Sequence, residues 1–415
     1  MRRVLSAILR VIVRLFFRRI EIAGEENIPE GQGAIFAMNH PNGLVDPLLL
    51  LCFAPRPVSF LAKAPLFRYP LVSIFVKGLD SIPVYRKTDA VTGSNQETFA
   101  RARDVLGRGG AVAISPEGTT HSEARLKELK TGAARIALGA AASELCVIPT
   151  GIYYTSKQTF RSDALIVFGA PISVQPQALD EPPRDAVEAL TSDIERGLAD
   201  VTLQADSGAV LDLVARAERI FSGGEGGDLA YQLDLRRRFV AGYRYLSERD
   251  PQRIAHFASR IESFESDLAN AGLDLDSLMT RRGVVARSVV AVLLLPFAVA
   301  GALIHYPAYW LVAYLSRRFA RGEQEMEATY KLVAGFVLYP LTWIACAIFV
   351  WWLPLAAPLL GYVALRVSES LELMLGRARA RVRRETTQRL IEERAAIRTD
   401  IEAIAEEMGR VSSRG

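Results

Sequence analysis

Over roughly the first 200 residues, short apolar runs alternate with segments that carry apolar side chains at helical spacing. The runs are rich in β-branched and aromatic residues, which favours β-strands. Residues 97–106 and 129–142, between the runs, show the helical spacing. This alternation predicts an α/β fold in which helices cover a sheet. The predicted strands cover residues 34–38, 58–61, 82–85, 111–114, 147–153 and 165–168.

Two much longer apolar stretches lie in the last third of the chain. Residues 288–315 and 332–365 contain no Asp, Glu, Lys or Arg, and together they hold all four tryptophans. Either stretch exceeds the roughly 20 residues that cross a bilayer as a helix. Because soluble helices seldom run so long without a charge, we predict C-terminal transmembrane segments here rather than a pair of buried core helices.

The number of crossings stays open between two alternatives. Prolines interrupt both stretches, which fits either two kinked spans or two re-entrant hairpins. With two spans, the arginines before the first stretch and after the second lie together on the cytoplasmic side by the positive-inside rule. The arginines of the connecting loop favour hairpins that return every loop to the cytoplasm.

The N-terminus has a different membrane signature. Residues 1–20 contain six arginines and no acidic residue. At 100° per residue, Arg3, Arg10, Arg14 and Arg18 fall on one helical face, and apolar side chains occupy much of the rest. The pattern predicts an amphipathic helix that lies in the membrane interface, with its arginines toward anionic headgroups. A basic surface helix packed on the domain is the alternative.

The remaining segments are charged and helix-rich. Residues beyond about 200 lose the strand pattern, and the sequence after 365 is typical of a long charged helix. The predicted organisation has five parts. They are an interfacial helix over 1–20, an α/β domain over 21–200, a helical extension over 201–282, membrane segments over 283–365 and a charged helical tail over 366–415.

Composition excludes several classes of protein. With 50 basic and 46 acidic residues the net charge is +4, so a dedicated nucleic-acid binder is not indicated. The three cysteines are far apart in the sequence, which excludes a disulfide framework and a Cys-rich zinc site and fits a reducing compartment. A mean hydropathy of +0.16 agrees with apolar residues concentrated in membrane segments.

The first candidate site follows the strand predicted at 34–38. His40 and Asp46 flank one short loop, because Pro41-Asn42-Gly43 is turn sequence and Asp46-Pro47 is typical of a helix start. An imidazole oriented by a carboxylate is suited to remove a proton from a hydroxyl. Taken alone, the two residues fit equally well a helix cap and a strand end.

Two further patterns end predicted strands. Residues 115–120 (Ser-Pro-Glu-Gly-Thr-Thr) form a turn whose N–H groups and hydroxyls suit a phosphate, and Lys130 adds a positive charge at a helix start. Residues 82–87 end in Arg86 and Lys87, and Arg binds phosphate in a bidentate manner. Each pattern alone also fits a tight turn or a solvated strand end.

In this order, the patterns resemble the four blocks of the glycerolipid acyltransferase family (PlsC-like phosphate acyltransferases), over roughly residues 20–200. The spacing of five residues between His40 and Asp46, against the common four, resembles the glycerol-3-phosphate and dihydroxyacetone-phosphate acyltransferase branch. The matching residues are Asn39, His40 and Asp46; residues 78–86, ending in Arg86; Pro116, Glu117, Gly118 and Thr119; and Val147, Ile148 and Pro149, with Lys63 as a recurrent lysine between the first two blocks.

The resemblance implies a mixed α/β sheet flanked by helices and a membrane-bound O-acyltransferase of phospholipid biosynthesis. The implied partners are an acyl-CoA or acyl-ACP donor, a glycerol 3-phosphate or dihydroxyacetone phosphate acceptor, and membrane lipids. His40 is then the general base and Asp46 orients it, with no metal and no bound cofactor required. The implied substrate-binding residues are Lys63, Arg86, Glu117, Gly118, Thr119 and Lys130.

Two points stay open in this interpretation. Glu117 cannot attract phosphate when it is ionised, so we expect it to hold an Arg, a Lys or the glycerol hydroxyl. The acceptor is alternatively 1-acylglycerol 3-phosphate or another lysophospholipid, and a non-catalytic membrane scaffold is a third possibility. Because acyl chain and product are lipids, we expect an integral membrane protein whose catalytic domain lies on the cytoplasmic face.

Overall fold

The computed structural model of the protein describes residues 2–68, 70–85, 95–223, 227–279 and 284–412. The chain divides into two compact units. Unit 1 comprises Met1–Gln204 together with Ala320–Thr329, and unit 2 comprises Ala205–Phe319 together with Tyr330–Gly415. The five-part division expected from the sequence is finer than these two units and stays a prediction.

Unit 1 is an α/β domain. Its helices are α1 (Arg2–Phe16), α2 (Val45–Phe53), α3 (Pro70–Gly78), α4 (Asn95–Gly107), α5 (Gly132–Leu138) and α6 (Arg184–Val201). Its strands are β1 (Arg19–Ala23), β2 (Gly33–Met38), β3 (Val58–Lys63), β4 (Ile82–Val84), β5 (Ala111–Ile114), β6 (Leu145–Tyr154), β7 (Asp163–Phe168) and β8 (Ile172–Val174).

The strands form one mixed sheet in the order β1-β7-β6-β2-β5-β3-β4, and β8 pairs with β6. Strands β6, β2, β5, β3 and β4 run parallel to one another, whereas β7 and β8 are antiparallel to β6. The predicted mixed sheet flanked by helices is confirmed, and each of the six predicted strands is present. Strands β1 and β8 were not predicted, because β1 continues the basic N-terminal segment and β8 is only three residues long.

Alternation along β2 divides the sheet into two faces. Ile35 and Ala37 belong to a buried apolar cluster with residues of α4, α5 and α6. Phe36 points to the opposite face, where its ring meets Phe168 at 5.6 Å between centroids. Burial on both faces explains why these strands are continuous apolar runs.

The parallel strands determine where functional loops can meet. Since β6, β2, β5, β3 and β4 share one direction, their carboxyl ends lie at the same edge of the sheet. His40 follows β2, Ser115 follows β5, Lys63 ends β3, and Lys157 follows β6. This edge therefore collects the loops that the sequence marked as candidate sites.

Helix α1 is amphipathic, but its arginines do not all point away from the domain. Arg10 donates to the carbonyl of Cys52 at 3.0 Å, and both Arg10 and Arg14 lie over the ring of Phe53. An apolar stripe at helical spacing is exposed instead. It consists of Val4, Ile8, Val11 and Leu15. The helix thus packs on α2 through part of its basic face, as the alternative interpretation expected, and its interfacial role stays a prediction.

Unit 2 is helical over its described residues. Its helices are α7 (Gly208–Ser222), α8 (Leu229–Arg249), α9 (Pro251–Asn270), α10 (Leu275–Leu278), α11 (Val284–Leu293), most of α12 (Leu295–Ala320) and α13 (Gln324–Cys346), α14 (Leu353–Val382) and α15 (Arg384–Ser412). The charged tail is not one helix, because Arg383 separates α14 from α15. Leu390 and Ile397 of α15 are buried with Phe264 of α9, so the tail packs within its own unit.

Within the described ranges, two helices are long and apolar enough to cross a membrane by length and composition: Leu295–Ala320 and Glu325–Cys346. Helix α12 continues through Pro307, and α13 continues through Pro340. Large apolar side chains of this region are exposed, among them Leu303, Trp310 and Trp351. His305, for which the sequence offered no partner, accepts a hydrogen bond from Trp343 at 2.9 Å.

Candidate active site

His40 and Asp46 lie on the loop between β2 and α2. The Nδ1 atom of His40 is 2.8 Å from the Oδ2 atom of Asp46, so the structure brings the two predicted residues into direct contact. Helix α2 begins at Val45, two residues earlier than the start at Pro47 that Asp46-Pro47 predicts, so Asp46 is not the residue that caps α2. That part of the prediction is wrong: the Asp46 carboxylate turns back toward the loop.

Asp46 is completely buried and holds three hydrogen bonds. Besides His40, it accepts from the backbone N–H of Asn42 at 2.7 Å and from the hydroxyl of Tyr154. Burial raises the pKa of Asp46 above its ordinary value, and the bonds from His40, Tyr154 and Asn42 act in the opposite direction. Burial and the neighbouring carboxylate raise the pKa of Tyr154, so its hydroxyl keeps the proton that it donates.

The loop is also tied to the end of β6. The side-chain amide of Asn39 donates to the carbonyl of Ile152 at 3.0 Å and accepts from the same residue's N–H at 2.7 Å. Asn42 donates through Nδ2 to the carbonyl of Lys157 at 2.8 Å. These side-chain bonds replace backbone pairing in the turn, and they fix the position of His40 relative to the sheet.

A second imidazole–carboxylate pair lies beside the first. Glu117 Oε2 is hydrogen-bonded to His121 Nε2 and accepts the N–H of Lys127 at 2.9 Å. The backbone N–H of His121 donates to the backbone carbonyl of His40 at 3.3 Å, and this bond joins the two loops. Glu117 Oε1 is buried and has no hydrogen-bond partner among the described residues. No partner for His121 is predicted from the sequence, although its spacing of four residues from Glu117 was an available signal.

The turn after β5 requires a glycine. Gly118 has φ of +69°, and a Cβ built there would lie 2.5 Å from Nζ of Lys130. Lys130 therefore folds over the turn, and its N–H donates to the carbonyl of Pro116 at 2.8 Å. The hydroxyl of Thr119 lies 3.4 Å from the carbonyl of Thr120. Glu117 and Gly118 thus lie on the turn that Lys130 covers, and their common role in binding the acceptor stays a prediction.

The other two predicted binding residues belong to the strands at the far side of this edge. Lys63 ends β3, is exposed, and pairs in register with Val84 of β4. Arg86 lies outside the described residues. Its position in the chain, two residues after β4 ends at Val84, leaves its predicted role a prediction.

Lys157 and Glu325 were not predicted. The ammonium of Lys157 donates to the hydroxyl of Ser122, which in turn donates to the carboxylate of Glu325. Burial lowers the pKa of Lys157, against the attraction of the Glu325 and Asp46 carboxylates. No local motif marks these residues, because they come from separate parts of the sequence and meet only in the fold.

The arrangement is suited to proton transfer, because an imidazole is oriented by a buried carboxylate. Among the described residues, no group of three or more His, Cys, Asp and Glu side chains is placed to hold a metal ion. The hydrogen bond at Nδ1 of His40 fixes the imidazole tautomer that leaves Nε2 as the basic nitrogen.

Comparison with known proteins agrees with this geometry. A family model described as Acyltransferase matches residues 19–153, which include both imidazole–carboxylate pairs. The chain is 27% identical over 287 residues to Glycerol-3-phosphate O-acyltransferase 2 of Saccharomyces cerevisiae, with 61% of this chain and 38% of the relative covered. It is 26% identical over 276 residues to Glycerol-3-phosphate O-acyltransferase 1 of the same yeast, with 59% and 36% covered.

A bacterial relative has a different acceptor in its name. The 1-acyl-sn-glycerol-3-phosphate acyltransferase of Borreliella burgdorferi is 27% identical over 170 residues, with 41% of this chain and 64% of the relative covered. This chain spans less than two fifths of the length of the two yeast relatives. Residues 19–153 thus match an acyltransferase domain, and the chain is similar to glycerolipid acyltransferases over that domain.

Proposed function

We propose that this chain is an O-acyltransferase that moves a fatty acyl group from an acyl thioester to the hydroxyl of glycerol 3-phosphate or dihydroxyacetone phosphate. The donor is acyl-CoA or acyl-ACP. The observation that carries the proposal is the 2.8 Å contact between His40 and a fully buried Asp46 at the sheet edge. The similarity to two glycerol-3-phosphate O-acyltransferases supports this acceptor class.

In the proposed reaction, Nε2 of His40 takes the proton of the acceptor hydroxyl. The hydroxyl oxygen attacks the thioester carbonyl carbon, and a C–O bond forms. The C–S bond then breaks, and the leaving thiolate receives the proton from the His40 imidazolium. A positioned base of this kind contributes roughly 10²- to 10⁴-fold in rate.

Asp46 supports His40 in both protonation states. Its carboxylate holds Nδ1 in place and stabilises the imidazolium while the proton is on His40. Tyr154 and Asn42 in turn hold the carboxylate, so the pair is rigid before substrate binds. A preorganised base lowers the barrier because no group has to be reoriented during the reaction.

The acceptor is placed beside the turn after β5. Glu117 Oε1 accepts a hydrogen bond from a hydroxyl of the glycerol moiety. This oxygen is buried and has no partner among the described residues. The N–H groups around Gly118, the Thr119 hydroxyl and the Lys130 ammonium are assigned to the phosphate, together with Lys63 and Arg86. The other Glu117 oxygen binds the His121 ring and the backbone N–H of Lys127, in place of the expected Arg or Lys side chain.

The site is placed at a membrane, because the donor chain and the product are lipids. The exposed stripe of α1 and the two helices long enough to span a bilayer support an integral membrane protein. We assign the catalytic domain to the cytoplasmic face, where the acyl thioester is made available.

A second candidate function is acylation of 1-acylglycerol 3-phosphate. The similarity to the Borreliella burgdorferi enzyme favours it, since that alignment covers a larger share of the relative than either yeast alignment. The two candidates differ in whether the acceptor is water-soluble or a lipid.

An acceptor panel separates the candidates. The purified full chain in detergent is supplied with labelled acyl-CoA, or with acyl-ACP, and one acceptor at a time: glycerol 3-phosphate, dihydroxyacetone phosphate or 1-acylglycerol 3-phosphate. The proposal expects labelled product with one of the first two. Product with the third alone favours the second candidate, and no product with any acceptor overturns both.

A further inference from the structure

The turn between the two apolar helices α12 and α13 belongs to unit 1, together with the first six residues of α13. This segment, Ala320–Thr329, is called the α12–α13 turn below. Residues Ala320–Thr329 form part of the same compact unit as the His40 loop, although more than 270 residues separate them in sequence. They lie outside residues 19–153, which the family model matches. The question is what this distant segment does beside His40 and Asp46.

The turn accepts two backbone hydrogen bonds from the His40–Asp46 loop. The N–H of Gly43 donates to the carbonyl of Glu325 at 3.0 Å. The N–H of Leu44, the residue before α2, donates to the hydroxyl of Thr329 at 2.9 Å. Thr329 is buried, so the Leu44 N–H has no water to replace that hydroxyl.

The approach is close enough to require a glycine in the loop. A Cβ built at Gly43 would lie 2.8 Å from the Thr329 hydroxyl and 3.0 Å from the sulfur of Met326. Ala328 beside them is completely buried. The loop and the turn are therefore packed together, and the position of one depends on the other.

A series of side-chain hydrogen bonds also joins the α12–α13 turn to the loop after β6. Lys157 donates to Ser122, and Ser122 donates to the carboxylate of Glu325. The carbonyl of Lys157 holds the Asn42 side chain, and the Asn42 N–H holds Asp46. The turn is thus connected to the His40–Asp46 pair through both backbone and side-chain hydrogen bonds.

We propose that Ala320–Thr329 is a component of the active site, in which Thr329 is a positioning residue that holds the Leu44 end of the catalytic loop. It follows that this turn lies on the same side of the membrane as His40. That placement agrees with apolar segments that return to the side they entered, and not with two full crossings that put the turn on the far side. The kinetic part rests on the proposed function, whereas the exchange and labelling parts do not.

The kinetic test compares two substitutions of Thr329. Thr329→Val keeps the shape but loses the hydroxyl, and we expect kcat to fall about tenfold with an unchanged acceptor KM, because Thr329 positions the base without touching substrate. Thr329→Ser keeps the hydroxyl and is expected to restore most of kcat. Thr342→Val is the matched control, since its hydroxyl donates within α13, to the carbonyl of Leu338.

The outcomes of this comparison are distinct. Equal losses in Thr329→Val and Thr329→Ser assign the effect to packing and overturn the positioning role. Full activity in Thr329→Val overturns it as well. If the wild-type chain acylates no acceptor, the proposed function fails, and the two measurements below still decide whether the turn holds the loop.

Hydrogen exchange tests the contact without any activity. The Leu44 amide is expected to exchange at least tenfold faster in Thr329→Val than in the wild type, and Thr329→Ser is expected to retain protection. Unchanged exchange at Leu44 in the valine variant contradicts the contact.

Labelling tests the side of the membrane. Glu323→Cys and Glu181→Cys, both at exposed positions of unit 1, are made separately in a Cys346→Ser background. Sealed vesicles are treated with a membrane-impermeant maleimide before and after lysis. Both cysteines are expected to react from the same side, and reaction from opposite sides overturns the placement of the turn.

Discussion

The hydroxyl of Tyr154, at the end of β6, donates a hydrogen bond to the buried carboxylate of Asp46 on the neighbouring loop. The other oxygen of that carboxylate contacts His40 and the Asn42 N–H. In the proposed reaction, Tyr154 therefore acts on His40 through Asp46. Removing the Tyr154 hydroxyl therefore tests how much the hydrogen bonding of Asp46 contributes to the rate, while the His40 imidazole is kept.

Tyr154→Phe is expected to lower kcat and to shift its pH dependence. The Tyr154 bond lowers the pKa of Asp46, so its loss raises that pKa further above the ordinary value. Asp46 supports the imidazolium only when ionised, and activity is lost as pH falls through its pKa. The acidic limb of the kcat–pH profile should therefore move to higher pH in the variant.

The same substitution should lower the free energy of unfolding by about 1–3 kcal/mol at neutral pH, because a buried ionised group loses one hydrogen-bond donor. Tyr153→Phe, on the neighbouring residue of β6, is the matched control. An unshifted acidic limb in Tyr154→Phe would show that Asp46 does not depend on this bond.

Glu117→Gln is expected to weaken binding of the acceptor substrate and to leave binding of the acyl donor unchanged. Two N–H groups, from His121 and Lys127, face one Glu117 oxygen, and the other oxygen is assigned to the acceptor hydroxyl. An amide supplies only one oxygen, so one of these sites must lose its acceptor. The acceptor KM should rise about tenfold or more, with the donor KM unchanged. Glu128→Gln, at an exposed position nearby, serves as the control, and equal effects on both KM values would argue against the assignment.

The thiols of Cys52 and Cys146 are expected to be unreactive in the native protein. Both are buried, and burial raises the pKa of each to about 11. At about pH 7.5 only a minute fraction of either thiol is ionised, and the thiolate is the reactive form. Mass spectrometry should find maleimide on both residues only after denaturation. Labelling of native Cys52 or Cys146 would show that the core of unit 1 opens readily.

Local sequence was sufficient to predict a contact where both contacting residues lie in one short segment. His40 and Asp46 flank a single loop, and the turn residues between them predict that their side chains can meet. The apolar runs likewise predicted six strands, because strands buried on both faces have few polar positions. The resemblance then added Lys63, which the pattern of residues alone does not single out.

Contacts between residues far apart in the sequence could not be predicted from local patterns. Tyr154, Lys157 and Thr329 reach the His40 loop only through the order of the strands and the path of the chain, which single-sequence patterns do not encode. The predicted start of α2 is two residues late because Asp46-Pro47 resembles a helix cap, whereas burial and the His40 contact decide where the carboxylate points.

The orientation of α1 shows the same limit. Helical periodicity correctly divides its arginines from its apolar side chains, but it cannot tell which set faces the domain. The carbonyl of Cys52 and the ring of Phe53 attract Arg10 and Arg14, and this leaves the stripe that includes Ile8 and Val11 exposed.

The role of His40 as the general base is tested by the acyl transfer rate of His40→Ala, measured on the purified full chain with labelled acyl thioester and the acceptor that the wild type uses. His256→Ala, which changes an exposed histidine of unit 2, is the matched control, and circular dichroism and membrane fractionation check that both variants fold. This role predicts a loss of roughly 10²-fold or more for His40→Ala and a wild-type rate for His256→Ala. Full activity in a folded His40→Ala variant would contradict it.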